Sequence, residues 1–281
     1  MTATLYVCPT PLGNLEDITL RVLRILKEAD VVAAEDTRRS SKLMNHYQIK
    51  TPLISYHQHS APSRSKEILD MLSQGKTVAL ISDSGTPGIS DPGQHLVSTA
   101  VDAGIDVQSL PGPNAAVTAL AASGFPLAGF TFFGFLPRKS LARAVGEIAA
   151  ITHPVVIYES PYRVEKTIKT LAEAMPARQI LVAREISKMH EEYLRGTLAE
   201  IAANSEWSSL AKGEFTLVLG PWQLAEPTKP DPGELMRHLG QLKEQGMSVR
   251  DACRELSDLT GVPRREIYAL ANKKTGLKSC K

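Results

Sequence analysis

TVALISDSGTPGISDPG, residues 77–93, joins two kinds of sequence. Thr77 to Ser82 is a short, almost unbroken apolar run of strand length. Such a run fits a strand buried on both faces. It leads into a loop of Gly, Pro, Ser and Asp, where the backbone turns tightly and comes close to its neighbours. Asp91-Pro92 then reads as a helix start, a capping carboxylate followed by proline in the first turn. Leu96, Val97, Ala100 and Val101 supply the helix face, and Gly104 the stop. Strand, loop and helix in this order make one unit of an α/β fold.

The unit recurs outward in both directions. Leu5 to Cys8 is apolar and ends in PTPLGNL (9–15). A helical pattern over Asp17 to Ala29 follows, with Ile18, Val22, Ile25 and Leu26 on one face. Val31 to Ala34 reads as a strand and Ser63 to Gly75 as a helix. Val107 to Leu110 runs into PGPN and an alanine-rich helix. ASGFPLAGF (122–130) interrupts the alternation and marks a junction. Strands then recur at Phe130 to Phe135, Val155 to Tyr158, Ile180 to Ala183, Tyr193 to Arg195 and Phe215 to Leu219, with helical patterns between most of them. The expectation is two α/β domains, 1–123 and 124–224, each with a largely parallel sheet.

Pro221 to Gly233 holds four prolines and reads as a linker. Residues 233–281 follow as a small helical domain. SVRDACRELSDLTGVPRREIYALA (248–271) gives two short helices around Gly261-Val262-Pro263, like a helix-turn-helix, with Arg264 and Arg265 opening the second. Those arginines suit nucleic-acid contact; a small bundle with solvated arginines is the alternative.

The net charge of +2 conceals an uneven distribution. Residues 1–226 hold 21 Lys and Arg against 23 Asp and Glu, whereas residues 227–281 hold 11 against 7. A basic tail on a near-neutral body hints at a polyanionic partner. No apolar run is long enough to span a membrane, and MTATLYVCPTP lacks the pattern of a secretory signal. Cys8, Cys253 and Cys280 are far apart and odd in number, with neither metal spacing nor a disulfide framework. A cytoplasmic protein with no membrane partner is expected.

Five loops share one relation to the strands before them: PTPLGNL, SDSGTPGISDPG, PGPNAA, YESPYR and REISKMHEE. Ligands of open α/β sheets bind at the carboxyl ends of strands, so five such loops point to a shared site. GxGxxG after the first strand, GxxxxGK[ST], HExxH and GxSxG are all absent, which disfavours a standard dinucleotide fold, a kinase, a zinc protease and a serine hydrolase. His57 and His59 have a spacing that places them on one face of a strand, where ordinary polar roles outweigh metal binding; no metal is expected.

PTPLGNLEDITLR, AEDTR (34–38), ISDSGTPGISDPG, PGPNA, FGFLPRK (133–139), YESPYR, REISKMHEEYLRGT and GEFTLVLGP, in this order over residues 5–221, resemble the tetrapyrrole methylase superfamily. Within it they resemble the small-subunit ribosomal RNA cytidine 2′-O-methyltransferases. Tetrapyrrole-modifying relatives usually carry a GxGDP-type loop where Ser82-Asp83-Ser84-Gly85 stands here. The resemblance implies a two-domain fold with S-adenosyl-L-methionine held between the halves, in a homodimer. It also implies that the acceptor is the ribose 2′-hydroxyl of a cytidine in the decoding region of 16S rRNA, within the small ribosomal subunit. A methyltransferase for a small, tetrapyrrole-like molecule and a non-catalytic RNA-binding assembly protein are the alternatives.

Such a donor needs an apolar slot for its adenine and polar groups for its ribose and amino-acid ends. By position, Pro11, Leu12 and Gly13 form one wall, and Asp83, Ser84, Gly85, Thr86 and Pro87 hold polar parts. Asn114, Ala115 and Ala116 open a helix beside it, and Tyr158, Glu159, Phe215 and Thr216 complete the slot. For each glycine or proline, plain turn geometry is the competing role; for Asp83 it is capping. Removing the proton of a ribose hydroxyl calls for a base or a nearby cation. The candidates are Lys188, acting as a base if its pKa is lowered or else as a cation, Glu185 as the alternative base, and Arg184 beside them. Glu35, Asp36 and Arg38 are placed to line the same cleft. Arg138, Lys139 and Arg163 suit phosphate contact, with Arg264 and Arg265 in the tail.

Overall fold

The computed structural model describes residues 3–57, 61–204, 212–222, 232–260 and 262–273. The chain divides into two compact units, residues 1–222 and 223–281.

The first unit opens with five short strands: β1 (Thr4–Val7), β2 (Val31–Ala34), β3 (Leu53–Ser55), β4 (Val78–Ile81) and β5 (Asp106–Ser109). They pair in parallel in the order β3-β2-β4-β1-β5. Every residue of VVAA in β2 and VALI in β4 is buried, because alternate side chains enter different cores. Val32, Ala34, Ala79 and Ile81 meet Val22, Ile25 and Leu26 of α1 (Leu20–Glu28) and Leu43 and Met44 of α2 (Thr37–His46). Val31, Ala33, Val78 and Leu80 meet Ile68 and Leu72 of α3 (Ala61–Ser73) and Leu96 and Ala100 of α4 (Gln94–Asp102). An apolar run without alternation is the mark of such a doubly covered strand.

From β1 the chain moves past β4 to β2, and from β4 it moves past β1 to β5. The connections leave these two neighbours in opposite directions, which makes the crevice between their carboxyl ends a topological switch point. There Thr10 and Gly85 exchange backbone hydrogen bonds, Thr10 N–H to Gly85 O at 2.8 Å and Gly85 N–H to Thr10 O at 3.0 Å. The Thr10 hydroxyl also donates to Ser82 O at 3.0 Å.

The second sheet is built from β6 (Thr131–Phe135), β7 (Val155–Glu159), β8 (Gln179–Arg184), β9 (Glu192–Thr197) and β10 (Phe215–Leu219). Its order is β6-β7-β10-β8-β9. Only β6 and β7 are parallel; the other three pairings are antiparallel. This corrects the expectation of a largely parallel sheet in each half. The connection 185–191 is too short for the crossover that parallel strands need, so β8 and β9 form a hairpin. One face packs on α6 (Leu141–Ala149), α7 (Val164–Ala174) and α8 (Leu198–Ala203). The other is covered by α5 (Ala115–Ser123), through Ala116, Ala119 and Leu120 against Val156, Leu181, Ala183 and Val218. Thus α5 follows the last strand of the first sheet in sequence but lies on the second.

Two further expectations change. Helix α4 starts at Gln94, with Gly93 as its cap and no capping side chain, so Asp91 is not the N-cap that Asp91-Pro92 suggested. Gly93 has φ 145° and its Cα packs against Leu80 and Gly88, which ends the loop two residues later than the proline implied. Helix α2 and strand β3 carry little signal: α2 buries only Ser40, Leu43 and Met44, and β3 has three half-buried residues. His57 lies just beyond β3, and His59 is outside the described residues.

In the second unit, α9 (Pro232–Glu244), α10 (Val249–Thr260) and α11 (Arg264–Lys273) enclose a small core of Leu235, Leu239, Ala252, Cys253, Leu256, Val262 and Ile267. Arg264 and Arg265 are exposed at the start of α11.

Arg178 is 1% exposed and, among the described residues, its guanidinium bonds are to backbone carbonyls and the Met175 sulfur. Its guanidinium donates to Gly220 O, Ile148 O and His153 O at 2.9, 3.1 and 3.0 Å, tying the ends of α6 and β10 together. Burial pulls its pKa down to about 10. Arg178→Met should remove the guanidinium bonds to Gly220 O, His153 O and Ile148 O, of which Ile148 O keeps the Ile151 N–H, and cost about 3 kcal/mol, measured by urea unfolding.

Candidate active site

The loops after β1, β4, β5 and β7 open with β10 into one cavity of about 270 Å³. Leu12, Ile89, Ala115, Phe135, Ile186 and Phe215 give it apolar walls; Ser84, Thr86, Asn114 and Thr216 give it polar ones. Gly85, Tyr158 and Glu159 also line it, so ten of the fifteen positions expected around the donor are brought together here. Its ionisable lining groups are Asp91, Tyr158, Glu159 and Glu214, with no cation among them.

Local structure explains how these residues are held. Asn114 caps α5, its side chain accepting from Val117 N–H at 3.2 Å. Ala116 is buried beneath, and its N–H donates to the Tyr158 hydroxyl at 3.1 Å, joining α5 to β7. Thr86 Oγ1 donates to Pro113 O at 3.0 Å, which joins the second loop to the third. Burial raises the Tyr158 pKa, an effect the Ala116 N–H partly offsets.

Five expected donor residues, Ala116 among them, do not line this cavity, and Glu159 lines it without offering its carboxylate. Pro11, Gly13 and Asp83 line a separate, smaller cavity beside Arg39 and Lys42 of α2. Pro87 is not among the residues lining either cavity. The Glu159 side chain is fully buried: it accepts from Ser160 N–H at 2.8 Å and Thr167 Oγ1 at 2.7 Å, and pairs with Arg163 at 3.5 Å. It therefore fastens the start of α7 and offers the cavity little but backbone. Asp83 accepts from Asp36 N–H at 3.1 Å and pairs with Arg39 at 3.2 Å, while its own N–H reaches Glu35 at 3.4 Å. Those contacts join the AEDTR loop to the loop after β4. Burial raises the Glu35 pKa, and the Asp83 charge adds to that.

The loop between β8 and β9 is strained. Glu185 and Ser187 have φ of 51° and 66°, a region that costs a non-glycine residue about 1–3 kcal/mol. Contacts to the next strand hold the bend: Glu185 N–H donates to Glu214 O at 2.9 Å, and Glu185 Oε1 accepts from Glu214 N–H at 2.8 Å. The Ser187 hydroxyl hydrogen-bonds Asp17. Lys188 then lies across Gly13, where any side chain would overlap the lysine stem, so Gly13 is needed for the crossing rather than for a donor wall. Lys188 Nζ pairs with Glu185 at 2.8 Å and Glu214 at 3.2 Å. It lines a second cavity, which shares Leu12 and Ile186 with the first.

Burial would lower the Lys188 pKa, but Glu185 and Glu214 outweigh it and the net shift is upward. Burial likewise opposes ionisation of Glu185, and Lys188 with the Glu214 N–H reverses that, leaving its pKa lowered. The free enzyme thus holds Lys188 as a cation and Glu185 as a weak base, which favours the cation over the base among the two roles expected of the lysine. Arg184 is turned to Lys212 O at 3.1 Å and Glu192 at 3.4 Å, and lines neither cavity. Arg163 donates to Leu136 O at 2.9 Å as well as pairing with Glu159, so it braces the fold instead of standing free for phosphate. Arg138 and Lys139 are exposed after β6.

The cavity also holds residues that sequence reasoning missed: Ile89, Ser90, Asp91, Phe135, Ile186 and Glu214. Most lie within or next to the loops and strands already singled out. Asp91 escaped notice because Pro92 made it look like a cap.

Residues 4–202 match the family Tetrapyrrole (Corrin/Porphyrin) Methylases, and residues 229–274 match the RsmI C-terminal HTH domain. "Ribosomal RNA small subunit methyltransferase I" of Halalkalibacterium halodurans is 43% identical over 270 residues, 94% of this chain and 93% of the relative. The Thermotoga maritima protein of the same name is 44% identical over 216 residues, which cover 76% of this chain and 97% of that one. Among solved structures, the Thermus thermophilus uroporphyrin-III C-methyltransferase complexed with S-adenyl homocysteine has a TM-score of 0.53 at 20% identity, covering 77% of this chain and 97% of its own, a likeness of fold. With its family match spanning both sheets up to α8 and relatives above 40% identity, the chain belongs to the tetrapyrrole methylase family, among the ribosomal RNA small subunit methyltransferase I proteins.

Proposed function

We propose that this protein transfers a methyl group from S-adenosyl-L-methionine to the ribose 2′-hydroxyl of a cytidine in the decoding region of 16S rRNA, in the cytoplasm and within the small ribosomal subunit. The observation that carries the reading is the largely apolar cavity into which loops of both sheets open. Its apolar walls suit an adenine, its hydroxyl and amide groups suit a ribose and an amino acid, and its acidic groups suit a ligand of net positive charge. The sulfonium supplies an activated methyl carbon: the hydroxyl oxygen bonds to it, the C–S bond breaks, and sulfur keeps the electron pair.

The chain's own task is to place the hydroxyl and manage its proton. Lys188, fixed as a cation between Glu185 and Glu214 beside the wall shared by the two cavities, stabilises negative charge developing on that oxygen. The proton itself passes to solvent or to Glu185. The first sheet with α5 (1–123) and the second sheet (124–224) carry the donor site, and residues 233–281 hold the RNA. Arg138 and Lys139 beside β6 and Arg264 and Arg265 on α11 are exposed cations for phosphates. Leu20, Tyr162 and Met189 stand 85%, 90% and 94% exposed, apolar surface that the second copy of a homodimer would cover.

Recombinant protein and labelled donor should place a methyl on a 2′-oxygen of small subunits or their RNA; folded protein that labels neither refutes the assignment. Lys188→Met should slow single-turnover transfer by about 10²-fold with donor affinity unchanged; a rate equal to wild type removes Lys188 from the chemistry. Substituting Arg264 and Arg265 by Ala in the full chain should make the log–log salt slope of RNA binding shallower by about 2, read by filter binding. Sedimentation equilibrium should give twice the chain mass of 30.5 kDa.

A further inference from the structure

Among the described residues, Asp91 is the one carboxyl group lining the cavity that no cation pairs with. Glu159 is consumed by Ser160, Thr167 and Arg163, and Glu214 by Lys188. Asp91 lines the cavity, caps no helix and, among the described residues, forms no ion pair. Its position is built rather than incidental. Ser90 before it has φ 64°, a strained conformation for a residue other than glycine. The bend is met from the other half of the cleft by the bulge in β6: a Cβ on Gly134 would lie 2.8 Å from Ser90 Oγ. Gly134, itself at φ 63°, therefore lets the two halves close on the loop that presents Asp91.

The groups facing Asp91 come from four elements. Glu35 follows β2, Asp83 follows β4 and Glu214 precedes β10, all carboxyl groups, while Tyr158 of β7 is a phenol whose own pKa the Asp91 charge helps to raise. The cations on these carboxyl groups are already paired, Arg39 with Asp83 and Lys188 with Glu214. Ser82 is a hydrogen-bonding neighbour that eases the charge. Burial first, then the charge of Glu35, pushes the Asp91 carboxyl up to about 7. A carboxyl group so placed accepts a cationic neighbour readily and a neutral one poorly.

Building on the donor-site reading above, we infer that Asp91 distinguishes the methyl donor from its spent product, its carboxylate acting as counter-ion to the donor's net positive charge. S-adenosyl-L-methionine carries a sulfonium, an ammonium and a carboxylate, net +1; S-adenosylhomocysteine has a neutral thioether and is net zero. Losing the methyl removes the charge that Asp91 balances, and Asp91 then takes up a proton from solvent. Product is thereby held less tightly than donor. The sign follows from linkage: a cation in the cavity lowers the Asp91 pKa, so donor binding releases a proton near pH 7 and strengthens as pH rises through that value.

Titration calorimetry on the full chain at pH 5.5, 6.5 and 7.5 tests this, with S-adenosylhomocysteine as the control for the α-amino group, which begins to titrate at the top of this range. Wild type should bind S-adenosyl-L-methionine about tenfold more weakly at pH 5.5 than at 7.5, with S-adenosylhomocysteine changing by no more than about twofold. Heats in buffers of different ionisation enthalpy should report proton release for the donor alone. Asp91→Asn should abolish the pH dependence and lower the preference for donor over product by about tenfold, while Asp91→Glu keeps both. Flat donor affinity in wild type overturns the inference, as does an unchanged donor-to-product ratio in Asp91→Asn. Wild type that binds neither compound overturns the donor-site reading and this inference with it.

Discussion

The paired backbone hydrogen bonds between Thr10 and Gly85 are the constraint on which the site depends. They bridge the carboxyl ends of β1 and β4, the two strands whose outgoing connections diverge. Without the bridge, the first loop and the longer loop after β4 would be independent turns. With it, Leu12 is set against Gly85, 3.3 Å from where a Cβ would stand, and becomes the partition between the donor cavity and the cavity holding Lys188. The strain at Glu185 and Ser187 presents Lys188 to that same partition from the second sheet. One local pairing thereby orders groups that are more than 170 residues apart in sequence.

Helix α5 supplies the complementary constraint. It emerges from the last strand of the first sheet and buries its alanine face on the second. Small side chains allow this close approach, and the Ala116 N–H to Tyr158 hydrogen bond fixes its first turn. Its N-terminal residues therefore belong to both halves, and the cleft they line is not a gap between separately folding bodies. Arg178 performs a similar service at the far end of the second sheet, collecting backbone carbonyls from three connections.

Much of this was legible in the sequence. Unalternating runs such as VALI announced doubly covered strands, and loops rich in Gly, Pro and Ser after them announced the ligand edge. The antiparallel character of the second sheet was also within reach, since the short connection 185–191 forbids a crossover. Strand β3 and helix α2 were not, because each buries too little apolar surface to impose a period. Asp91 was misread for a different reason: local capping chemistry and a tertiary role use the same residue type, and only the position of Gly93 separates them. Arg163 and Glu159 likewise look like functional charges in YESPYR, yet they satisfy each other and the start of α7. Charge in a sequence motif does not reveal which partner will claim it.

The distribution of charge joins fold to function. Carboxyl groups line the cavity with no cation among them, while Arg138 and Lys139 after β6 are exposed and are not part of its lining. A polyanionic acceptor is attracted to the outer surface and repelled from the cavity, whereas a small cationic donor is drawn inward. Lys188 stands between the two fields, paired with Glu214 of the cavity lining and open to the neighbouring cavity. Under the proposed function, a hydroxyl meeting the donor there would lose its proton beside a fixed cation.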